Sequence, residues 1–315
     1  MTTLNGKHAL VTGGSRGIGR GIALKLAAEG VRVAVHYYQN EAAKDTLDRV
    51  RKHGGDGLLV RADVSRPDEV QRMFGEVQAR FGRLDVFVAN ARPELATFYQ
   101  KPLEITLEAW DHALDSQAKA FLVGAREAAA LMGPGGRIVA VTYAPGARTG
   151  TWQPWIAMGA AKAAMESVVR YFAVTLASRG ITVNAVSPGL TDDSVLNGLP
   201  DPVVQTARQW HASGWTPMGR MGTPADIGDV VALLCTPGGG LDHRPAPPRR
   251  RRRVPGGHAA AARDPAGLRA DLMSGSAARA LGVTRSSSSP SHPATAGSWP
   301  GRRAWPPAPR ALRSP

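Results

Sequence analysis

Short apolar segments of strand length alternate with longer segments of helical periodicity along the first 235 residues. This alternation is typical of a parallel sheet covered by helices on both faces, because parallel neighbours need a helical crossover between them. We therefore predict an α/β fold with a doubly wound parallel sheet. The predicted strands are His8–Val11, Arg32–Tyr37, Gly57–Arg61, Val86–Ala89, Arg137–Thr142 and Thr182–Val186. The predicted helices are Ile18–Glu29, Glu41–His53, Pro67–Phe81, Leu107–Met132, Ile156–Ser178 and Pro224–Leu234.

The composition divides the chain into two parts. Residues 1–238 have the composition of a folded domain, whereas residues 239–315 are rich in Pro, Arg, Ala, Gly and Ser. Residues 241–315 contain 14 Arg, no Lys and three Asp, so they carry most of the formal net charge of +14. The predicted domain is nearly neutral, which disfavours nucleic acid as its partner. We expect one domain over 1–238 and a disordered tail over 239–315.

The single cysteine, Cys235, excludes an intrachain disulfide and a cysteine-rich zinc site, and no metal site is predicted. The polar segment Met1–Lys7 lacks the apolar core of a signal peptide. No run of about 18 apolar residues is present that would form a membrane helix. We therefore expect a cytoplasmic protein without a membrane partner.

A glycine-rich segment, Thr12–Gly19, directly follows the first predicted strand and opens the first predicted helix. Glycines let backbone N–H groups approach a pyrophosphate, and the N-terminus of a helix favours an anion. A glycine turn alone is weak evidence, but its place in the first β-α-β unit indicates a dinucleotide site of the Rossmann type. The cofactor contacts predicted in this loop are Gly13, Ser15, Arg16, Gly17, Ile18 and Gly19.

Four motifs in sequence order make the chain resemble the short-chain dehydrogenases/reductases. Thr12–Gly19 matches their Thr-Gly-x-x-x-Gly-x-Gly loop, and Asp63-Val64 is similar to their adenine-contacting pair. Ala89-Asn90-Ala91 is similar to their Asn-Ala-Gly turn, with Arg92 in place of Gly, and Asn184–Gly189 resembles the stretch beside the nicotinamide. The resemblance covers about residues 5–236. It implies further cofactor contacts from Asp63, Val64, Asn90, Pro188 and Gly189.

The end of the second strand indicates which dinucleotide is bound. A carboxylate there would accept hydrogen bonds from the adenosine ribose and repel a 2′-phosphate. This chain has instead the polar and aromatic run His36–Asn40, in which Tyr37 is the predicted contact, and Arg16 lies in the adjacent loop. We therefore expect NADP(H) as the cofactor, with NAD(H) the less favoured choice.

The resemblance implies a catalytic tyrosine that the sequence lacks. Carbonyl reductases of the family place Tyr four residues before Lys on one helix face; Lys162 matches that Lys, but Met158 stands at the Tyr position. The enoyl-reductase branch places Tyr seven residues before Lys, and there the chain has Trp155. Tyr143 stands where carbonyl reductases have Ser, and Gln117 where they have Asn. The predicted catalytic residues are Lys162, Trp155 and Tyr143, with Lys162 also holding the cofactor ribose.

These positions favour one reaction over another. An indole N–H donates a hydrogen bond but is no acid near neutral pH, so Trp155 cannot protonate an alkoxide. Conjugate reduction does not need a protein acid at this position, because its enolate requires only hydrogen bonds and its proton can come from water or Tyr143. We expect NAD(P)H-dependent reduction of an activated C=C, or else C=O, in a fatty-acid-like or secondary metabolite such as a carrier-protein or CoA thioester. The alternative is a catalytically impaired dinucleotide-binding or scaffold protein.

The tail replaces a seventh strand that the resemblance implies, with the pattern Ile-Thr-Gly followed by Asp-Gly-Gly. With suitable codons, Leu241–Pro245 read one base later gives Trp-Ile-Thr-Gly, and Pro248–Arg253 gives His-Ala-Asp-Gly-Gly. We interpret the tail as the product of a reading-frame shift. The alternative is a genuine Arg-rich segment that binds nucleic acid or an acidic partner. A homo-oligomer is expected for a chain with the strand restored.

Overall fold

The computed structural model describes residues 4–53, 56–142, 155–194, 196–199, 201–215 and 217–238; the predicted tail, 239–315, lies outside them. The described residues form a six-stranded parallel sheet in the order β3-β2-β1-β4-β5-β6. The strands are β1 (His8–Val11), β2 (Arg32–Tyr37), β3 (Gly57–Arg61), β4 (Val86–Ala89), β5 (Arg137–Val141) and β6 (Thr182–Val186). The predicted Rossmann-type sheet is confirmed, and only the end of β5 differs from the predicted strand bounds.

Helices cover both faces of the sheet. They are α1 (Gly17–Ala28), α2 (Ala42–Lys52), α3 (Pro67–Phe81), α4 (Leu95–Phe98), α5 (Leu107–Leu114), α6 (Ala120–Leu131), α7 (Ile156–Ala177), α8 (Asp201–Trp210) and α9 (Pro224–Cys235). The predicted helix Leu107–Met132 is observed as one unbroken helical run that ends at Leu131; the prediction missed only the π-helical segment, Asp115–Lys119, between α5 and α6. Within the described ranges, no helix is long and apolar enough to cross a membrane.

Two apolar layers enclose the sheet. On one side, α3, α6 and α7 cover it with Phe74, Phe121 and Met165. On the other side, α1 and α9 cover it with Ile22, Leu26, Val231 and other residues of a second cluster. Every residue of the central strands β1 and β4 is buried. This burial on both faces explains why these strands are continuous apolar runs in the sequence rather than alternating ones.

Local sequence fixes where several helices begin. At the start of α9, the Thr223 hydroxyl accepts from the Asp226 N–H at 3.3 Å, and the Asp226 carboxylate accepts from the Thr223 N–H at 2.7 Å. In such a capping box, each side chain accepts a hydrogen bond from the backbone N–H of the other residue. Thr106 caps α5 in the simpler way, accepting from the Ala109 N–H. By contrast, Arg16 gives α1 no side-chain cap.

The strand β6 lies at one edge of the sheet. It pairs with β5 over five residues, from Thr182 opposite Arg137 to Val186 opposite Val141. Within the part of the chain that the structure describes, no strand pairs with its other side. The proposed seventh strand would belong there, but the residues that replace it lie beyond the described ones.

Candidate active site

The carboxyl ends of the strands border one large cavity of about 410 Å³. It lies where the strand order reverses between β1 and β4, which is where ligands bind in open α/β sheets. Lys162 and Trp155 line it, whereas Tyr143 lies outside the described residues. The structure also brings together on this cavity all the predicted cofactor contacts: Gly13, Ser15, Arg16, Gly17, Ile18, Gly19, Tyr37, Asp63, Val64, Asn90, Pro188 and Gly189. Their individual roles stay predictions.

The loop after β1 is shaped so that only glycine fits at key positions. Gly13 has φ +64°, and a Cβ on it would lie 2.9 Å from Ala91 Cα. A Cβ on Gly19 would lie 2.1 Å from the Gly13 carbonyl oxygen, so the first turn of α1 packs directly on the loop. Because α1 has no side-chain cap, backbone N–H groups of its first turn are available to an anion in the cavity.

Asn90 and Thr12 connect this loop to the end of β4. The Asn90 side-chain amide donates to the carbonyl oxygens of Thr12 and Gly13 at 3.0 and 3.2 Å. In return, the Thr12 hydroxyl accepts from the backbone N–H groups of Asn90 and Ala91 at 2.9 and 3.1 Å. The predicted cofactor residue Asn90 is thus also the residue that fixes the conformation of the glycine loop.

His36, at the end of β2, holds the same loop from the other side. The Gly13 N–H donates to His36 Nδ1 at 3.0 Å, which leaves Nε2 as the donor to the Ala62 carbonyl oxygen at 2.9 Å. Burial lowers the pKa of His36 to about 4, since the charged imidazolium would lose its hydration. The neutral ring therefore connects three strand ends. Sequence reasoning missed this role.

The end of the cavity where the sequence predicts adenosine to bind, which we call the adenosine end, is lined by Tyr37, Tyr38, Gln39 and Asn40. Arg61 lies beside them and donates from Nε to the Tyr38 carbonyl oxygen at 3.0 Å. Arg16 pairs at 3.4 Å with Glu94, and both side chains are well exposed. The run 36–40 is thus free of carboxylates, as the sequence indicates, but the turn after β4 places one beside Arg16.

Lys162 lies inside α7 and its side chain is buried at the opposite end of the cavity. Its Nζ donates to the Val141 carbonyl oxygen at 2.7 Å and lies 3.9 Å from Met165 Sδ. Burial lowers the pKa of Lys162 to about 7, and the charge of Arg92 adds to the effect. A buried lysine with a pKa near neutrality is common at catalytic sites.

Trp155, just before α7, forms an aromatic wall at this end. Its ring centroid lies 5.1 Å from that of Phe98 and 5.8 Å from that of Tyr99. Met158 is buried against the same cluster. Among the described residues that line the cavity, the tyrosines are Tyr37 and Tyr38, which belong to the adenosine end. Neither tyrosine register therefore places a phenol beside Lys162.

Gln117 lies in the π-helical segment and is fully buried. Its side-chain amide donates to the carbonyl oxygens of Ala91 and Ser116 at 3.0 and 2.9 Å. It therefore supports the turn after β4 from below and does not line the large cavity. Gln117, at the position where carbonyl reductases have Asn, therefore has a structural role in this chain.

A crevice with an uncapped helix at one end and a buried lysine at the other is the arrangement of a nicotinamide-dependent oxidoreductase. Residues 13–240 match the family model described as Enoyl-(Acyl carrier protein) reductase. The chain belongs to the short-chain dehydrogenase/reductase family of NAD(P)-dependent oxidoreductases.

Individual relatives carry different activities in their names. The chain is 38% identical over 242 residues to the 1-cyclohexenylcarbonyl-CoA reductase of Streptomyces collinus, covering 74% of this chain and 81% of the relative. It is 36% identical over 253 residues to the hydroxynaphthalene reductase-like protein Arp2 of Metarhizium robertsii, covering 75% and 90%. The crystal structure of a short chain dehydrogenase from Burkholderia cenocepacia in complex with NADP superposes with a TM-score of 0.68 at 33% identity, covering 75% of this chain and 93% of that one.

Proposed function

We propose that this chain is an NADP(H)-dependent reductase of an activated C=C bond, with C=O reduction the less favoured reaction. One observation carries the proposal: Trp155 occupies the enoyl-reductase register in the wall of the cavity that also contains Lys162. An indole donates a hydrogen bond without transferring a proton. Reduction of an alkoxide-forming ketone needs a proton from the protein, whereas an enolate can take its proton from water.

The choice of NADP(H) over NAD(H) rests on the adenosine end. Residues 36–40 contribute no carboxylate that would repel a 2′-phosphate, Arg16 lines the same cavity, and Arg61 donates to the Tyr38 carbonyl oxygen. The glycine loop suits a pyrophosphate, because Cβ atoms on Gly13 and Gly19 would collide with Ala91, Asn90 and the loop itself and so disturb the conformation that presents its N–H groups. When bound, the cofactor supplies hydride. Loop N–H groups would hold its pyrophosphate, and Lys162 would hold its nicotinamide ribose.

A CoA or carrier-protein thioester of a fatty-acid-like or secondary metabolite is the proposed substrate. The substrate end of the cavity is apolar, with Trp155, Phe98, Met158 and Leu196 in its walls, and such a surface suits a flat or extended apolar acyl group. The name of the Streptomyces collinus relative, a reductase of an unsaturated acyl-CoA, supports this class.

The test is NADPH oxidation by the full chain with 1-cyclohexenylcarbonyl-CoA, a straight-chain 2-enoyl-CoA, an aromatic ketone and a quinone. We expect turnover of the thioesters and little or none of the ketone. Trp155→Tyr should raise turnover, since it restores a phenol seven residues before Lys162. Met158→Tyr is the matched control, because it restores the phenol of the carbonyl-reductase register. Ketone turnover above thioester turnover in the unchanged chain would contradict the proposal.

The second candidate is a dinucleotide-binding protein of the same family that has lost catalysis. It is favoured by Met158 and Trp155 standing at both tyrosine positions. In that case NADPH binds, no member of the panel is reduced, and neither tyrosine variant gains turnover. Tight NADPH binding combined with thioester reduction would exclude this candidate.

A further inference from the structure

Arg92 is an unusual side chain at the substrate end of the cavity. It follows Asn90-Ala91 in the turn after β4, lines the cavity and is partly buried. Its Cζ atom lies 5.7 Å from the centroid of the Phe98 ring, and that ring lies 5.1 Å from the ring of Trp155. The guanidinium therefore stacks on the aromatic wall that also contains Trp155.

This guanidinium lacks the partner that a partly buried cation normally has. Nη1 donates to the Pro93 carbonyl oxygen at 2.8 Å, which uses one of five N–H donors. Among the residues that the structure describes, no carboxylate lies within 4.0 Å of its nitrogens, and Glu94 pairs with Arg16 instead. Asp193 acts on Arg92 only through its more distant charge.

A buried charge without a close counter-ion is costly, so such a group is expected where a ligand supplies the opposite charge. Burial lowers the pKa of Arg92, and the charges of Arg92 and Lys162 repel each other. Both side chains line the cavity, and the positive charge of each would be stabilised by an anionic oxygen bound there.

We propose that Arg92 is a catalytic residue that donates hydrogen bonds to the substrate carbonyl oxygen and stabilises the oxyanion formed during conjugate reduction. This inference rests on the proposed function. Hydride from NADPH forms the new C–H bond at the β-carbon, and the π electrons of the C=C bond move to the α-carbon and carbonyl, giving an enolate. The enolate oxygen accepts from Arg92, which keeps its own proton, and water then protonates the α-carbon and leaves hydroxide.

The alternative ligand for Arg92 is the cofactor diphosphate, because Arg16 of the glycine loop is close enough to Arg92 to lower its pKa. The stacking on Phe98 favours the substrate oxygen, because it holds the guanidinium against the aromatic wall that also contains Trp155. The two sources are separated by measuring cofactor affinity and turnover independently.

The experiment compares Arg92→Met and Arg92→Lys in the full chain, measuring kcat, KM for the thioester, the Kd of NADPH and the melting temperature. We expect Arg92→Met to lower kcat by about 100-fold while the Kd of NADPH changes by less than about twofold. Its melting temperature should stay equal or rise, because an unpaired charge is removed. Arg92→Lys should recover part of the loss in kcat.

Three results would overturn the proposal. One is an unchanged kcat in Arg92→Met. Another is an NADPH Kd that rises about tenfold while kcat at saturating NADPH is unchanged, which would assign Arg92 to the diphosphate. The third is a lowered melting temperature with activity lost in proportion, which would make the role structural.

A binding titration tests Arg92 even if no thioester is reduced. Cyclohexanecarboxylate imitates the charge of the enolate, and cyclohexanecarboxamide is its neutral control. With NADP⁺ present, the carboxylate should bind about tenfold more weakly to Arg92→Met than to the unchanged chain, and the amide equally to both. Failure of the turnover panel together with this discrimination would sink the proposed reaction but support Arg92 as the anion-binding residue. Equal carboxylate affinities would overturn the proposal about Arg92.

Discussion

Acidification should weaken the fold through one side chain, His36. Its neutral ring accepts the Gly13 N–H at Nδ1 and donates to the Ala62 carbonyl oxygen from Nε2. Protonation would place a second N–H where Nδ1 now accepts, so the hydrogen bond to the glycine loop would be lost. The ring is 2% exposed, and water therefore cannot hydrate the imidazolium without opening the structure.

The size of the effect follows from proton linkage. Burial lowers the pKa of His36 from 6.5 to about 4 in the folded chain. Between these values the unfolded chain binds more protons than the folded one, so stability is fully present above about pH 6.5 and falls as the pH drops towards 4. At 1.36 kcal/mol per pH unit, the total loss is about 3 kcal/mol, a large part of the stability of a typical domain.

Urea unfolding, followed by tryptophan fluorescence from about pH 7 to about pH 4, measures this loss. The matched variant is His36→Asn, because an Asn Oδ1 can accept the Gly13 N–H but does not titrate. Over this range the unchanged chain should lose about 3 kcal/mol more than the variant. Parallel pH profiles for the unchanged chain and His36→Asn would refute the reasoning.

Three further changes have defined outcomes. Tyr37→Asp should reverse the preference for NADPH over NADH, because a carboxylate at the end of β2 repels a 2′-phosphate; equal dissociation constants in the unchanged chain would contradict the assignment. Asn90→Ala should lower the free energy of unfolding by about 1–3 kcal/mol, since the carbonyls of Thr12 and Gly13 lose a donor, and an unchanged urea midpoint would argue against it. A chain with the reading frame restored after Cys235 should melt cooperatively and at a higher temperature, because a seventh strand would cover the side of β6 that pairs with no described strand; identical melting of both chains would remove the case for a frame shift.

The strands and the glycine loop were predictable because their signals are local. Strands buried on both faces are continuous apolar runs, and the turn residues beside them mark where they end. The loop Thr12–Gly19 has a fixed spacing, so its place at the start of α1 followed directly. Lys162 was found in the same way, by its position in a motif. Tyr143 and the tail, 239–315, stay predictions, because both lie outside the described residues.

The contacts that the sequence did not indicate join residues from separate elements. His36 reaches Gly13 and Ala62 because β2 lies between β1 and β3. Hydrophobic periodicity predicts where strands are but does not predict their order in the sheet. Arg92 meets Phe98 because the four-residue helix α4 places that ring in the wall of the cavity that Arg92 also lines. A helix that short has no periodic pattern to detect. The helix α8 is longer than α4 but was also not predicted. It lies in the segment after β6, where Pro and Gly interrupt the hydrophobic periodicity.

The π-helical segment Asp115–Lys119 accommodates one extra residue in what would otherwise be a regular α-helix. One residue corresponds to about 100° of rotation on a helical wheel. The helix therefore buries one face before the segment and a different face after it. Upstream, Ala113 packs against Met158 in the wall of the cavity; downstream, Phe121 packs in the layer with Phe74. A single-codon deletion within this segment would make the helix regular but turn one of these faces away from its partner. It would also withdraw Gln117 from the Ala91 carbonyl, so an in-frame deletion that improves helical geometry would loosen the floor of the active site.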